Sequence, residues 1–150
     1  MKNLSTIVSF SLLSLLFISC NGQSSSRINK EVKGGLYLVK DDGITMSFYN
    51  SEEEVKVDTT LYVPFSNFES IQETKGPFEG VFVLKIRLDE VGTQSLSVLT
   101  KNVERKRICF VIEEKVMAAP NLNEHIPNGR VSIMIPDEKA KDLIIDRLKK

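Results

Sequence analysis

Cys20, Cys109 and His125 carry the strongest intrinsic chemistry in this 150-residue chain, and their neighbours decide what each can do. Cys20 closes the apolar run Leu16-Phe17-Ile18 directly after a small residue, Ser19. Cys109 sits inside Ile108-Cys109-Phe110-Val111-Ile112, where a thiol reads as a small core residue. A catalytic thiol needs exposure and a nearby base. His125 is the only histidine, set in the polar stretch Asn123-Glu124-His125-Ile126-Pro127, and any Ser-His-Asp arrangement would depend on it alone. No G-x-S-x-G nucleophile turn is present. Zinc requires several His or Cys ligands, and beyond Cys20 the chain offers one of each. Twenty acidic residues show no spacing that singles out a hydrolytic pair; Glu52 to Glu54 read as a solvated turn. The chain is therefore expected to be non-enzymatic, with no metal and no cofactor. Ala118-Ala119-Pro120 is the most distinctive local feature that remains. Small residues allow close packing and proline ends a strand. Together with Asn128 and Gly129, these three residues form the candidate partner-contact surface.

The N-terminus carries an address. Lys2 precedes an apolar run interspersed with serines, Ile7 to Ile18, so residues 1–19 read as a secretory signal. Twelve residues are too few to cross a bilayer core of about 30 Å as a helix. Leu16-Phe17-Ile18-Ser19-Cys20 resembles the bacterial lipobox, in which the peptidase cuts before the cysteine and the thiol carries diacylglycerol. Phe17 stands where leucine is usual. The resemblance implies a lipidated Cys20, anchored at about 0.8 kcal/mol per buried methylene. Residues 20–33 then form a polar, flexible tether. The implied location is the cell envelope, facing the periplasm and held to a membrane by lipid.

Charge narrows the classes further. The whole chain has 20 basic and 20 acidic residues. Removal of 1–19 takes Lys2 away, leaving 19 against 20, or −1. That balance speaks against a nucleic-acid binder, which carries a basic excess. It also speaks against a long single-sign disordered chain. Arg105-Lys106-Arg107 reads as basic surface after a helix, not as a phosphate site.

The elements that must position these residues follow from periodicity. Leu36 to Val39 and Ile44 to Tyr49 flank Asp41-Asp42-Gly43 and predict a hairpin over 36–49, with Leu36 to Val39 available as an edge strand. Thr60 to Pro64 and Phe68 to Thr74 predict further strands, broken at Lys75-Gly76-Pro77. Val81 to Leu88 alternates with period two. Asp89-Glu90 then opens a helix with Leu96, Leu99 and Val103 on one face. Ile108 to Ile112 is a buried strand, Glu113-Glu114-Lys115 a tight turn and Asn128-Gly129 a hairpin turn before the alternating Val131, Ile133 and Ile135. Pro136-Asp137-Glu138 starts a last helix with Ala140, Leu143, Ile144 and Leu148 as its stripe and Arg147, Lys149 and Lys150 at its end. The expected class is α+β: an antiparallel or mixed sheet with two helices packed on one face, a ferredoxin-like sandwich, preceded by short N-terminal strands. Residues 34–66 would be a small β extension and 67–150 the main domain.

Within 81–150 the pieces resemble the head subdomain of the first periplasmic region of SecD and SecDF, the protein-export membrane proteins. They are Leu88-Asp89-Glu90-Val91-Gly92, Thr100-Lys101-Asn102-Val103, Lys106-Arg107-Ile108, Glu113 through Ala118-Ala119-Pro120, Ile126, Gly129 and Ala140-Lys141-Asp142-Leu143, in that order. The usual glycine before the basic step is replaced around Glu104-Arg105. The resemblance implies a mobile periplasmic module that contacts emerging polypeptide and carries no catalytic residue. SecD-type proteins also couple proton flow through intramembrane acids. No spanning helix is predicted after the signal, so the chain alone is not expected to be the motor. Two readings remain. One is an export-associated lipoprotein that binds secreted polypeptide or Sec translocon components. The other is a structural or interaction lipoprotein of a different envelope assembly that reuses the fold.

Overall fold

The computed structural model describes residues 34–102 and 106–148. The predicted signal, Cys20, the tether, Val103 to Arg105, Lys149 and Lys150 lie outside the described residues. The chain runs β1 (Gly35–Ser47), β2 (Glu54–Pro64), a 3-10 turn (Phe65–Asn67), β3 (Phe68–Lys75), β4 (Phe82–Leu88), α1 (Glu90–Thr100), β5 (Ile108–Ile112), β6 (Lys115–Ala118), β7 (Arg130–Ile135) and α2 (Glu138–Leu148). The class is α+β. The strands divide between two antiparallel sheets, ordered β2-β1-β5-β6 and β3-β4-β7, where the sequence predicts a single one.

Residues 34–66 are not a separate extension. Leu36, Tyr37 and Leu38 pair with Phe110, Cys109 and Ile108, so β1 lies in the interior of the first sheet and its N-terminal half is no edge strand. The 36–49 hairpin also gives way to one long strand. Val39 and Ile44 both face Val57 on β2, and Lys40 to Gly43 bulge out between them. Asp41-Asp42-Gly43 has turn composition, but pairing on both flanks to the same partner keeps the strand direction. Gly43 is needed there because a Cβ would collide with the Val57 backbone. The true reversal comes later, where Asn50 takes φ 60° and Phe48 N–H donates to the Glu53 carbonyl.

The bulge lets β1 curl. Its far end bridges Phe48 to Val116, and Tyr49 N–H donates to the Val116 carbonyl at 2.9 Å. The first sheet thus folds back toward a small barrel, because β1 touches β5 near its start and β6 past its end. Tyr37, Met46, Val55, Val57, Cys109, Val111 and Val116 fill the curl as one buried cluster.

A second, larger core joins everything else. Leu84, Ile86 and Leu88 of β4 and Val131, Ile133 and Ile135 of β7 share it with Leu96 and Leu99 of α1 and Ala140 and Ile144 of α2. The period-two pattern puts all the large buried residues of β4 and β7 on one sheet face. Both helices cover that face, and Leu36, Val63, Ile108, Phe110 and Ile112 close it from the first sheet. α1 begins where expected: the Asp89 carboxylate accepts from Gly92 N–H at 2.7 Å and from the Asn67 amide at 3.0 Å. Those bonds hold the Asp89 carboxyl below the usual range.

Asn128-Gly129 is not a hairpin turn. β6 is already taken by β5, and β7 pairs with β4 instead. Gly129 has φ +65° and is packed so closely on Thr93 that any side chain would clash. Phe110 is the hinge between the layers: it is fully buried, with ring centroids of Phe65 and Phe68 at 5.7 and 6.3 Å. Phe110→Ala should cost about 3–5 kcal/mol, read as a lower urea midpoint with the chain still able to refold.

Candidate functional site

The residues singled out from sequence separate into two groups. Ala118 pairs opposite Phe110, the Ala119 carbonyl accepts from Arg107 Nε at 2.9 Å, and the Pro120 carbonyl accepts from Ile108 N–H at 3.1 Å. The Ala-Ala-Pro step therefore prolongs the β5–β6 ladder, and the small side chains allow its half-buried packing. Pro120 and Asn128, however, line the same shallow cavity of about 360 Å³, formed by the 120–128 loop against Ile108, Arg130 and Ser132. Ala118, Ala119 and Gly129 do not line it. Asn128 is exposed, and its side-chain oxygen accepts from Arg130 N–H at 3.1 Å, which sets the entry into β7.

One buried hydroxyl fixes that loop. Thr100 is fully buried; its hydroxyl donates to the Leu96 carbonyl at 2.8 Å and accepts from Ile126 N–H at 3.0 Å. His125 adds a surface contact, its Nε2 lying 3.0 Å from Ser97 Oγ and 3.1 Å from the Ser97 carbonyl. Both ring contacts go to one half-buried serine, while Glu124 and His125 are exposed. Cys109 is fully buried and desolvation pushes its thiol up to about 12, although Arg107 pulls the other way. A thiol protonated and shielded to that degree is a poor nucleophile. Among the described residues, no three His, Cys, Asp or Glu side chains converge in a way that could hold a metal. Glu52 to Glu54 are exposed around the β1–β2 reversal.

A different surface has the shape of a binding site. Among the described residues β3 and β7 are the two edge strands of the second sheet, each paired with β4. Beside β3 a groove of about 210 Å³ is lined by Phe65, Phe68, Ile71, Ile145 and Leu148, with Glu69 and Ser70 at its polar side. Phe65 and Phe68 meet edge to face at 5.2 Å, and the pair rests on Phe110. The far wall, α2, is held to the sheet by Lys141, which reaches Glu73 at 3.3 Å and stands over the Phe82 ring at 4.4 Å. An unpaired strand edge beside apolar pockets is the arrangement that receives an extended peptide. Sequence reasoning missed it because Phe68 to Thr74 is a weak strand signal. The aromatic repeat Phe65-Ser66-Asn67-Phe68 after Pro64 was the available clue.

These features define a two-sheet α+β module with an open strand edge and no assembled catalytic group among the described residues. Residues 42–145 match the family model of the SecDF P1 head subdomain, and the chain belongs to that family. The match starts inside β1, which agrees with 34–66 being part of the same domain. The protein translocase subunit SecD of Calditerrivibrio nitroreducens is 25% identical over 111 residues, covering 73% of this chain and 18% of that protein. Two solved structures share the fold. One, described as a membrane component SecDF that enhances protein export, superposes with TM-score 0.54 at 15% identity, over 75% of this chain and 61% of that one. The other, SecDF in a super-membrane-facing form, gives 0.53 at 14% identity, over 73% and 17%. This chain thus spans less than two thirds of each relative. No helix among the described residues is long and apolar enough to cross a membrane.

Thr100→Val should cost about 1–3 kcal/mol, because the buried Thr100 hydroxyl is removed and the part-buried Ile126 N–H loses its acceptor. His125→Ala, at an exposed contact, should stay within about 0.5 kcal/mol of the parent. Denaturant titration of the two variants side by side checks the contrast.

Proposed function

We propose that this chain is a non-enzymatic bacterial envelope lipoprotein whose SecDF-type head binds an extended segment of secreted polypeptide, or of a Sec translocon component, along β3. The observation that carries the reading is the open β3 edge next to the Phe65–Phe68–Ile71 groove, in a chain that belongs to this family. Backbone hydrogen bonds to an edge strand are indifferent to sequence, and an apolar groove supplies affinity for passing hydrophobic side chains. That combination suits a module that must hold many different unfolded segments briefly. SecDF, which is described as enhancing protein export, gives the reading its direction. The lipobox-like Leu16 to Cys20 supports anchorage at the membrane where export occurs. Pro120 and Asn128 remain a second candidate contact, on a cavity beside β7, the other edge of the same sheet, that lacks the aromatic floor of the β3 groove.

In vivo photo-crosslinking decides where partners touch. A benzoylphenylalanine at Glu69 should capture nascent secreted chains or Sec components, and one at Glu114 in the β5–β6 turn should not. If Glu69 captures only components of another envelope complex, the export role is wrong and the structural alternative stands. If capture occurs from Asn128 and not from Glu69, the site lies on the loop. For the anchor, Cys20→Ala should abolish fatty-acid labelling of the protein; persistent labelling would refute lipidation at that residue.

A further inference from the structure

The outer face of the second sheet has a charge arrangement that packing does not explain. Its inner face is covered by α1 and α2, while Lys85, Arg87, Arg130, Ser132 and Met134 are exposed on the other side. Register places these residues in rows across the three strands. Ser70, Arg87 and Arg130 form one row, Gln72, Lys85 and Ser132 the next, and Thr74, Val83 and Met134 the third. Arg87 thus stands directly opposite Arg130, with Lys85 diagonal to Arg130. Like charges in facing positions destabilise a sheet. Only Arg87 has an ion-pair partner among the described residues, Glu69 at 2.9 Å; Lys85 and Arg130 have none. The face also lines a shallow depression of about 390 Å³ with Ser70 and Gln72 on its floor. A chain near neutrality has placed three cations on one open sheet face.

The apolar residues have an order as well. Met134, 59% exposed, lies in the third row, and Phe78, 73% exposed, lies in the β3–β4 turn beyond it. The face is therefore basic at one end and apolar at the other. The chain enters the domain at the basic end: Phe65 N–H donates to the Gly34 carbonyl, Phe65 packs on Phe68, and Phe68 pairs with Leu88, one step from the Arg87 row. Gly34 follows Cys20 by 14 positions. That length reaches at most about 50 Å in any conformation.

We propose that this face docks on an anionic phospholipid surface, with Lys85, Arg87 and Arg130 at the headgroup phosphates and Met134 and Phe78 entering the interface. Phosphate supplies the countercharge that Lys85 and Arg130 lack among the described residues, and one or two exposed apolar residues suit the headgroup boundary. Docking of this face leaves β3's outer edge beside the membrane and free, so lipid contact orients the groove without occupying it. The proposal rests on the envelope reading but not on the polypeptide site.

The test uses the full chain, purified from membranes and returned to vesicles. A bimane probe is placed at Ser132→Cys or, as a control, at Glu114→Cys; Cys109 is buried and stays unlabelled. Vesicles are phosphatidylcholine alone or with phosphatidylglycerol, each with a headgroup spin-labelled lipid as quencher. Quenching at 132 should exceed that at 114 only in the anionic vesicles and should fall at high salt. Lys85→Glu with Arg130→Glu should lower the docked-to-undocked ratio by more than about tenfold. Arg130→Lys should retain docking, and circular dichroism checks that each variant is folded. Equal quenching at 132 and 114, or quenching at 132 indifferent to lipid charge and to the reversals, would overturn the proposal. Protection of 132 by an acidic peptide in neutral vesicles would also overturn it, making the face a protein contact. Loss of crosslinking from Glu69 with docking intact would instead count against the polypeptide site alone.

Discussion

β5 is the constraint on which the architecture depends. All five of its residues, Ile108 to Ile112, are buried. A strand's side chains alternate between faces, so a strand buried along its whole length must be covered on both sides. Ile108, Phe110 and Ile112 enter the large core with the second sheet and the helices, while Cys109 and Val111 enter the curl of the first sheet. Each remaining feature serves one of those two covers. The β1 bulge lets the strand wrap round to Val116 and enclose Cys109 and Val111. The amphipathic β4, β7, α1 and α2 supply the layer over Phe110.

The same constraint places the functional surfaces. Because Phe110 must be met from the second sheet, the chain crosses from β2 to β3 through Phe65 and Phe68, and their rings pack on Phe110. That crossing leaves β3 at an edge, with the aromatic pair as the floor of the groove. It also turns the other face of β3, β4 and β7 outward, where polar and basic residues alternate with the buried ones. The groove and the basic face are thus two sides of one three-stranded sheet, which is why contact on one can orient the other. Two of the SecD and SecDF relatives are covered by this chain over only 18% and 17% of their length, and both surfaces are built within that part.

Much of this was legible from residue order. The alternation of Val81 to Leu88, the Asp89 cap, the buried run at Ile108 and the Ala140–Ile144 stripe each follow from local periodicity and capping, and each appears in the structure. The α+β class and the family resemblance followed from their sequence order. The hairpin at Asp41-Asp42-Gly43 and the one at Asn128-Gly129 did not appear. Turn-forming residues state that the backbone can bend, not which strands it will join. At Gly43 the competing partner was Val57, which accepted both flanks; at Gly129 it was β4, which β7 preferred to the already paired β6.

The sequence by itself determined β4, β5, β7, α1 and α2 and their buried faces, because these depend on spacing along the chain. Tertiary structure alone decided that the strands form two sheets, that 34–66 belongs to the same core, and that Phe65 joins Ile145 across a groove. It also set Arg87 opposite Arg130. Those are pairings between residues far apart in the chain, and they are chosen by which buried faces can cover one another rather than by any local preference.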